Sequence, residues 1–377
     1  MRIGFDAKRA AVNLSGLGNY SRTLIKNLTF AFPGDSYVFY SPVGPKAATG
    51  WKGPSIQLPP ALWENFGALW RSFGISDQLV KDQLDLYHGL SGELPFVKPG
   101  KIKFVLTVHD LIFLRFPQYY KVVDRALYLF KLRHALKVAD QVIAISEQTK
   151  SDLEGYMNYP ASKVKVVYQA CDSSFGRIYS LGEHQRVKQL YALPSNYILC
   201  VATLEERKNQ LLILQALVIL KERSGGERSK LPVVLVGKKT NYWDLLQEFM
   251  IENQLESQIH YHAYVPQSDL PLVYQNAFLF VYPSRFEGFG IPIIEALNSS
   301  LPVVSSTGSC FSEAGGPDSL YTDPDDPHAL ATHIQTVYEN ASKREKMVLR
   351  GRSFAQNFTP GKLSAQLMEI YRFTAGI

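Results

Sequence analysis

The stretch LFVYPSRFEGFGIPIIEALNSS, Leu279 to Ser300, reads as a strand, a loop and a helix in direct succession. Its apolar run Leu279–Tyr282, closed by Pro283, suits a strand buried on both faces. Gly288 and Gly290 let the backbone approach a ligand closely. Pro292 suits a first helical turn, and the free N–H groups of that turn form a seat for an anion. Two acids flank the seat. Glu287 stands on the loop, and Glu295 lies about 5 Å further along the helix axis. A carboxylate beside a phosphate repels it, whereas one a turn away can accept two hydrogen bonds from a ribose diol. Glu287, on the other side of the seat, suits a sugar. The pair would then grip a ligand that is hydroxyl-rich at both ends and charged in the middle. Taken alone, Glu295 also fits a first-turn acid placed for the helix dipole.

Outward from this stretch the same unit recurs. RIGFDA, SYVFYS, LDLYHG, KFVLTVHD, QVIAIS and KVKVVYQA read as strands in the first half, with helices such as NYSRTLIKNL between them. NYILCVAT, LPVVLVGKK, IHYHAYV, FLFVYPS and LPVVSST form a second series. Between the two, residues 171–195 carry turn residues and a short helix. Strands alternating with helices give parallel sheets. The expected fold is α/β: two Rossmann-like domains with parallel sheets facing across a cleft. The expected domains are 1–178 and 179–357, with a C-terminal helix over 358–377 returning to the first. Ligands of such sheets bind at the carboxyl ends of the strands.

The chain has 377 residues, 46% of them hydrophobic and 20% charged, a globular composition for two domains. Its 40 basic and 34 acidic residues leave a charge of +6, which suits an anionic small molecule and argues for no nucleic acid. Cys171, Cys200 and Cys310 are far apart and lack metal-site or disulfide spacing. The N-terminus has no signal-peptide pattern and no apolar run approaches a membrane span, so a cytoplasmic location is expected.

After the strand NYILCVAT comes LEERKNQLLIL, in which Asn209 is placed to cap the following helix. Arg207 and Lys208 precede that helix, where its dipole disfavours cations. An arriving anion would explain them; a solvated turn paired with Glu205 and Glu206 is the other reading.

At this point the chain resembles the retaining glycosyltransferases of family 4, which have the GT-B fold. E-G-F-G-x-P-x-x-E, with seven residues between Glu287 and Glu295, is similar to their donor-site signature. SGLGNY (15–20) resembles their first glycine loop, TVHDL (107–111) their donor-sugar histidine motif, AISEQTKSDL (144–153) their SE-x-x-K segment, and VATLEERKN (201–209) their phosphate motif. The resemblance covers almost the whole chain. It implies that Arg207 and Lys208 bind the donor diphosphate, and that Glu295 binds the ribose. Glu287 with Gly288, Phe289 and Gly290 would contact the donor sugar and phosphates, and His109 a sugar hydroxyl. Gly16 and Gly18 would lie close to the diphosphate, and the main chain of Val265 close to the base. Asp110 is a candidate acceptor base. The resemblance further implies retention of anomeric configuration, no metal, no cofactor beyond the nucleotide-sugar co-substrate, and a glycan or lipid-linked acceptor. GDP-mannose or a UDP-sugar is the expected donor, in cell-surface polysaccharide synthesis. Ala202, Thr203 and Ala263 depart from the family pattern, and Thr203 stands where many members have a phosphate-binding arginine.

Other features have competing readings. DPDD (323–326) contains a DxD metal signature, but Asp326 and Pro327 fit the cap and first residue of a helix. His260 and His262 share a strand face without a third ligand nearby. His88 is either acceptor-facing or an ordinary loop histidine. Trp63, Phe66, Trp70 and Phe73 fall on one face of a candidate helix, packed or open to acceptor or membrane. Residues 115–137 mix six basic residues with aromatics, which suits a solvated helix face or a peripheral contact with anionic lipid. A sugar-nucleotide epimerase of the same fold and a non-catalytic partner subunit are the alternative functions. A dinucleotide oxidoreductase is disfavoured, because no G-x-G-x-x-G follows the first strand.

Overall fold

The computed structural model describes residues 1–14, 16–51, 53–223 and 231–377. Ser15, the first residue of the SGLGNY segment, lies outside the described residues. The chain forms two compact units, Met1–Ala170 with Pro360–Ile377, and Cys171–Thr359.

The first unit holds a seven-stranded sheet. Its strands are β1 (Arg2–Asp6), β2 (Ser36–Tyr40), β3 (Ile56–Gln57), β4 (Leu86–Gly89), β5 (Lys103–Val108), β6 (Gln141–Ala144) and β7 (Val164–Val166). Their order is β3-β2-β1-β4-β5-β6-β7 and every pairing is parallel. The order reverses between β1 and β4, so the loops after these two strands diverge and leave a crevice. All four residues of β4 are buried, as expected for a central strand covered on both faces. One face packs against Ile25 and Leu28 of the helix Gly16–Ala31, and against Leu367, Met368 and Tyr371 of the helix Pro360–Ala375. The other packs against Trp70, Ile75, Leu79, Leu132 and Ala135. The C-terminal helix therefore completes the first unit's core.

The second unit holds six parallel strands: β8 (Ile198–Val201), β9 (Val233–Val236), β10 (Ile259–His262), β11 (Leu279–Tyr282), β12 (Val303–Ser306) and β13 (Leu320–Thr322). The order β10-β9-β8-β11-β12-β13 reverses between β8 and β11. Leu212, Ile213 and Leu217 of the helix Gln210–Arg223 pack with Leu330 and Ile334 of the helix Pro327–Glu339 over this sheet. Asp326 caps the latter helix by accepting from Ala329 N at 2.9 Å, with Pro327 at its first position.

The structure differs from the sequence expectations at three places. The unit boundary falls at Cys171 rather than 179. Residues 171–178 are tied to the second unit, where Gln275 Nε2 donates to Phe175 O at 3.0 Å and Arg177 O at 2.9 Å. The four aromatics do not share one helix face, because residues 61–74 change winding twice, from a 3-10 turn (Ala61–Phe66) through one α turn to a π turn (Trp70–Gly74). Trp70 is fully buried while Phe66 and Phe73 are exposed. Gly16 and Gly18 lie in the first turn of the helix Gly16–Ala31 rather than in a loop before it. A Cβ at Gly18 would fall 1.8 Å from Asn13 O, so only glycine lets the chain pass so close.

Candidate active site

Two loops meet where the second sheet reverses. After β8 the chain makes the 3-10 turn Glu206–Lys208, which ends at Asn209 with φ +57°. A capping residue ordinarily has extended backbone, so Asn209 is not the regular N-cap expected from sequence. Its side-chain amide instead donates to Pro283 O at 3.2 Å and Pro324 O at 2.7 Å. After β11, Arg285 N donates to Arg207 O at 2.8 Å and joins the second loop to the first.

Three charged side chains converge there. Lys208 Nζ lies 2.5 Å from Glu287 Oε1 and 3.2 Å from Tyr282 OH. Arg207 Nη1 lies 3.0 Å from Glu287 Oε2 and donates to Phe286 O at 2.7 Å, while Nη2 donates to Glu205 Oε1 at 2.7 Å. Tyr282 OH donates to Glu287 Oε1 at 3.2 Å. Burial would raise the Glu287 carboxyl, but the Lys208 and Arg207 charges outweigh it and hold the pKa at about 2. On sequence, Glu287 faces a sugar, while Arg207 and Lys208 either await an anion or pair with Glu205 and Glu206. The fold puts Glu287 in direct contact with the basic pair, since a buried carboxylate is stable only when its charge is met.

The glycine stretch is held from behind. Ser309 Oγ accepts from Glu287 N at 3.2 Å and donates to Glu287 O at 3.0 Å. Cys310 Sγ donates to Phe289 O at 2.6 Å, and the Phe289 ring packs on Phe358, centroids 5.6 Å apart. Gly288 lies between them. Gly290 has φ +119°, which favours glycine, and opens the helix Ile291–Asn298. One turn on, Glu295 Oε2 accepts from Tyr274 OH at 2.9 Å. Burial pushes the Glu295 pKa up to about 7, against the Tyr274 hydrogen bond and with a further push from Asp172. The two glutamates thus sit in opposite electrostatic settings. Val265 is buried in the loop after β10. Thr203, where the family pattern has arginine, offers its carbonyl to Gln210 Nε2 at 3.0 Å.

In the first unit, His109 follows β5. Its Nε2 lies 2.8 Å from Leu90 O and its Nδ1 3.3 Å from Gln169 Nε2, so Nε2 donates and Nδ1 accepts. Tyr20 meets the ring edge-on at 4.6 Å. Burial lowers the His109 pKa to about 4, with the Leu90 carbonyl opposing and the Arg9 charge adding, so the ring is neutral near pH 7. Asp110 Oδ1 accepts from Ile112 N at 3.0 Å and holds the turn. His88 is neither acceptor-facing nor in a loop. It lies fully buried within β4, 2.5 Å from Tyr371 OH and 2.8 Å from Thr107 Oγ1. Burial, then the His109 charge, lower its pKa to about 3.

The acids of the DPDD segment are engaged. Asp325 pairs with Arg285 at 2.6 Å, Asp323 accepts from Asp325 N at 2.8 Å, and Asp326 caps a helix. His262 packs edge-on against Tyr191 at 5.6 Å. Among the described residues no three His, Cys, Asp or Glu side chains are grouped to hold a metal ion. Sequence reasoning missed Tyr282, Tyr274, Ser309 and Gln169. Tyr282 ends the opening strand and was within reach of pattern reading; the other three carry no local signal.

Residues 183–354 match the family model described as "Glycosyl transferases group 1" and residues 15–175 the one described as "Glycosyltransferase Family 4". The chain is 31% identical to the Escherichia coli "O-antigen chain mannosyltransferase B" over 99% of this chain and 100% of that protein. The chain belongs to glycosyltransferase family 4. Another relative is the Salmonella typhimurium "O-antigen chain mannosyltransferase RfbU", 25% identical over 62% of this chain and 60% of that one. Among solved structures, Anabaena HepE in complex with UDP matches with a TM-score of 0.76 at 17% identity, covering 98% of this chain and 99% of that one. A Rickettsia africae glycosyltransferase matches with a TM-score of 0.74 at 18% identity, covering 99% and 98%. These likenesses identify the GT-B fold in this family 4 member. Membership decides for a transferase over the epimerase weighed on sequence, and the enzyme is a hexosyltransferase.

Proposed function

We propose that this glycosyltransferase moves a hexose from a nucleotide-diphosphate sugar, GDP-mannose or a UDP-sugar, to a glycan or lipid-linked acceptor, with retention of anomeric configuration. The relatives named as O-antigen mannosyltransferases favour a role in cell-surface polysaccharide synthesis. The observation that carries the reading is the cluster of Lys208, Arg207 and Glu287 at the β8–β11 reversal, in the loop that leads into the helix Ile291–Asn298 bearing Glu295. On this reading Lys208, Arg207 and the first-turn N–H groups stabilise the charge that grows on the leaving diphosphate, with Gly288, Phe289 and Gly290 close to it. Glu295 holds the ribose, and the main chain of Val265 lies near the base. Glu287 keeps the cations oriented and serves the sugar. His109, neutral, accepts from a sugar hydroxyl through Nδ1 in place of Gln169. The reaction centre gains oxocarbenium character, with the leaving phosphate helping to deprotonate the acceptor and Asp110 as the candidate side-chain base. No metal or other cofactor is needed on this reading, because the phosphate charge is met by side chains.

A peripheral contact with the cytoplasmic face of the membrane through residues 115–137 belongs to the same proposal. Among the described residues no helix is long and apolar enough to cross a membrane. Val122, Val123, Leu127 and Phe130 are exposed beside exposed Lys121, Arg133 and Lys137, a composition that suits anionic lipid. Co-sedimentation with anionic but not neutral vesicles, lost in Val122→Ser/Phe130→Ser, is expected.

The deciding experiment incubates the enzyme with GDP-mannose and UDP-sugars, an oligosaccharide acceptor and EDTA. The anomeric configuration of the product is then read by NMR. Transfer with the donor's configuration kept is expected. An inverted product, or turnover only after Mg²⁺ or Mn²⁺ is restored, overturns the corresponding part.

A further inference from the structure

His109 is fixed on three sides. Its carbonyl accepts from Thr149 Oγ1 at 3.0 Å, its Nε2 donates to Leu90 O at 2.8 Å, and Tyr20 meets its ring edge-on. The ring cannot turn without losing a bond, so the Nδ1 lone pair holds one direction. The partner of that lone pair is held far less firmly. Gln169 lies just past β7, within the first unit, and is half-buried. Its Nε2 stands 3.3 Å from Nδ1, long beside the bond on the other side of the ring.

A side-chain amide has two N–H donors and an acceptor oxygen. The contact with His109 uses one N–H, and the Gln169 side chain forms no other hydrogen bond among the described residues. Polar side chains that serve the fold of this unit are used more fully. Gln141 Nε2 donates to Val142 O at 2.9 Å and to Lys163 O at 3.0 Å. Buried Arg71 donates through Nε to Asp6 Oδ2 at 3.1 Å, through Nη2 to the same oxygen, and through Nη1 to Glu93 Oε2. Gln169 instead keeps an N–H and its oxygen available, next to a lone pair that is aimed and weakly met.

We infer that Gln169 and His109 read one hydroxyl of the donor sugar as a pair: the hydroxyl inserts between them, donating to His109 Nδ1 and accepting from the Gln169 N–H that it displaces. The inference rests on the transfer reading above and adds Gln169 to it as a specificity residue. The two groups demand opposite halves of a hydroxyl. Nδ1, which carries no proton, requires a donor, and the amide N–H requires an acceptor. A hydrogen at that sugar carbon meets neither demand and a methoxy group only the second, so either leaves a polar group of the site unpaired.

Whichever of GDP-mannose and UDP-glucose is transferred faster is compared with its monodeoxy analogues, one for each sugar hydroxyl. Wild type is expected to lose at least about tenfold in kcat/KM with one analogue. In Gln169→Ala that preference should shrink at least about threefold, and in Gln169→Ala/His109→Ala it should vanish, with the preferences at other positions unchanged. Gln169→Met fills similar space without an N–H and should behave as Gln169→Ala does, which separates the hydrogen bond from packing. Each preference is a ratio of two donors on one variant, so a loss of folded protein cancels. A merely structural Gln169 would lower all donors by one factor. That outcome, or a wild-type series with no discriminating position, overturns the inference while the transfer reading stands. If no donor is transferred, calorimetric titration of the GDP-mannose and UDP-glucose series reads the preference as affinity. A preference that Gln169→Ala weakens then upholds the contact and counts against the transfer reading alone. Equal affinities overturn the contact.

Discussion

Glu287 and Glu295 stand eight positions apart in sequence, and their pKa values are shifted in opposite directions. Glu287 is held at about 2, below the carboxyl's ordinary 4.5, so its ion pairs stabilise the fold above about pH 4.5 and are lost as pH falls toward 2. Glu287→Gln leaves Lys208 and Arg207 facing a neutral amide. It should cost about 3–5 kcal/mol of stability in urea denaturation at pH 7 and lower turnover roughly 10- to 1000-fold. Nucleoside diphosphate affinity should not fall, since the cations remain; an equal loss of affinity would reassign Glu287 to the phosphate seat. Glu295 works in the opposite direction. Its folded pKa of about 7 lies above 4.5, so the stability it contributes is full below pH 4.5 and is lost as pH rises through 7. Glu295→Gln mimics the protonated form and should gain stability over wild type at pH 8 but not at pH 5. Nucleoside diphosphate affinity in wild type should rise from pH 6 to pH 8 more steeply than in this variant, because only the carboxylate is a charge-assisted acceptor for the ribose. Parallel pH profiles in calorimetry would remove Glu295 from the ribose site.

Within each unit the clustered side chains come from elements that meet only through a few residues. In the first unit the helix Pro360–Ala375 delivers Tyr371 to His88 in the middle of β4, and Thr107 on β5 meets the other ring nitrogen. The chain Thr107–Tyr20–His109 continues this network to the edge of the sheet, with Tyr20 OH 3.4 Å from Thr107 Oγ1. Tyr371→Phe removes one hydroxyl from a fully buried site and leaves a His88 nitrogen unpaired. It should destabilise the unit by about 1–3 kcal/mol, the cost of an unsatisfied buried polar group. A change within error in urea denaturation would mean the ring nitrogen finds another partner. The segment 61–74 shows why element patterns can mislead: its aromatic spacing suits one helix face, yet the changes of winding send Trp70 inward and Phe66 outward.

At the scale of the molecule the two units differ in connectivity. The second is one continuous segment, Cys171–Thr359, with its own core. Produced alone it should fold and bind the nucleoside diphosphate through Lys208 and Glu295, with a Kd within about tenfold of the whole chain, or about 1.4 kcal/mol. Failure to fold in circular dichroism would show that it depends on the first unit. The first unit is discontinuous: removing residues 360–377 strips Leu367, Met368 and Tyr371 from its core, and the truncated chain is expected to bind a hydrophobic dye strongly.

The sequence alone determined that the chain is two α/β units with parallel sheets, and that Glu287 and Glu295 flank a turn from strand to helix. Parallel strands buried on both faces read as short apolar runs, and glycine, proline and capping residues act on their immediate neighbours, so such signals survive in the linear chain. Motif spacing around Glu287 and Glu295 was legible for the same reason. Only the tertiary structure decided which groups pair. Lys208 and Glu287 are 79 residues apart, Arg71 and Asp6 65, and His88 and Tyr371 283. Their meeting depends on the strand orders β1-β4 and β8-β11 and on a terminal helix that returns to the first sheet. Local periodicity is the same for any strand order, so it carries no record of which distant charges the fold brings within hydrogen-bonding distance.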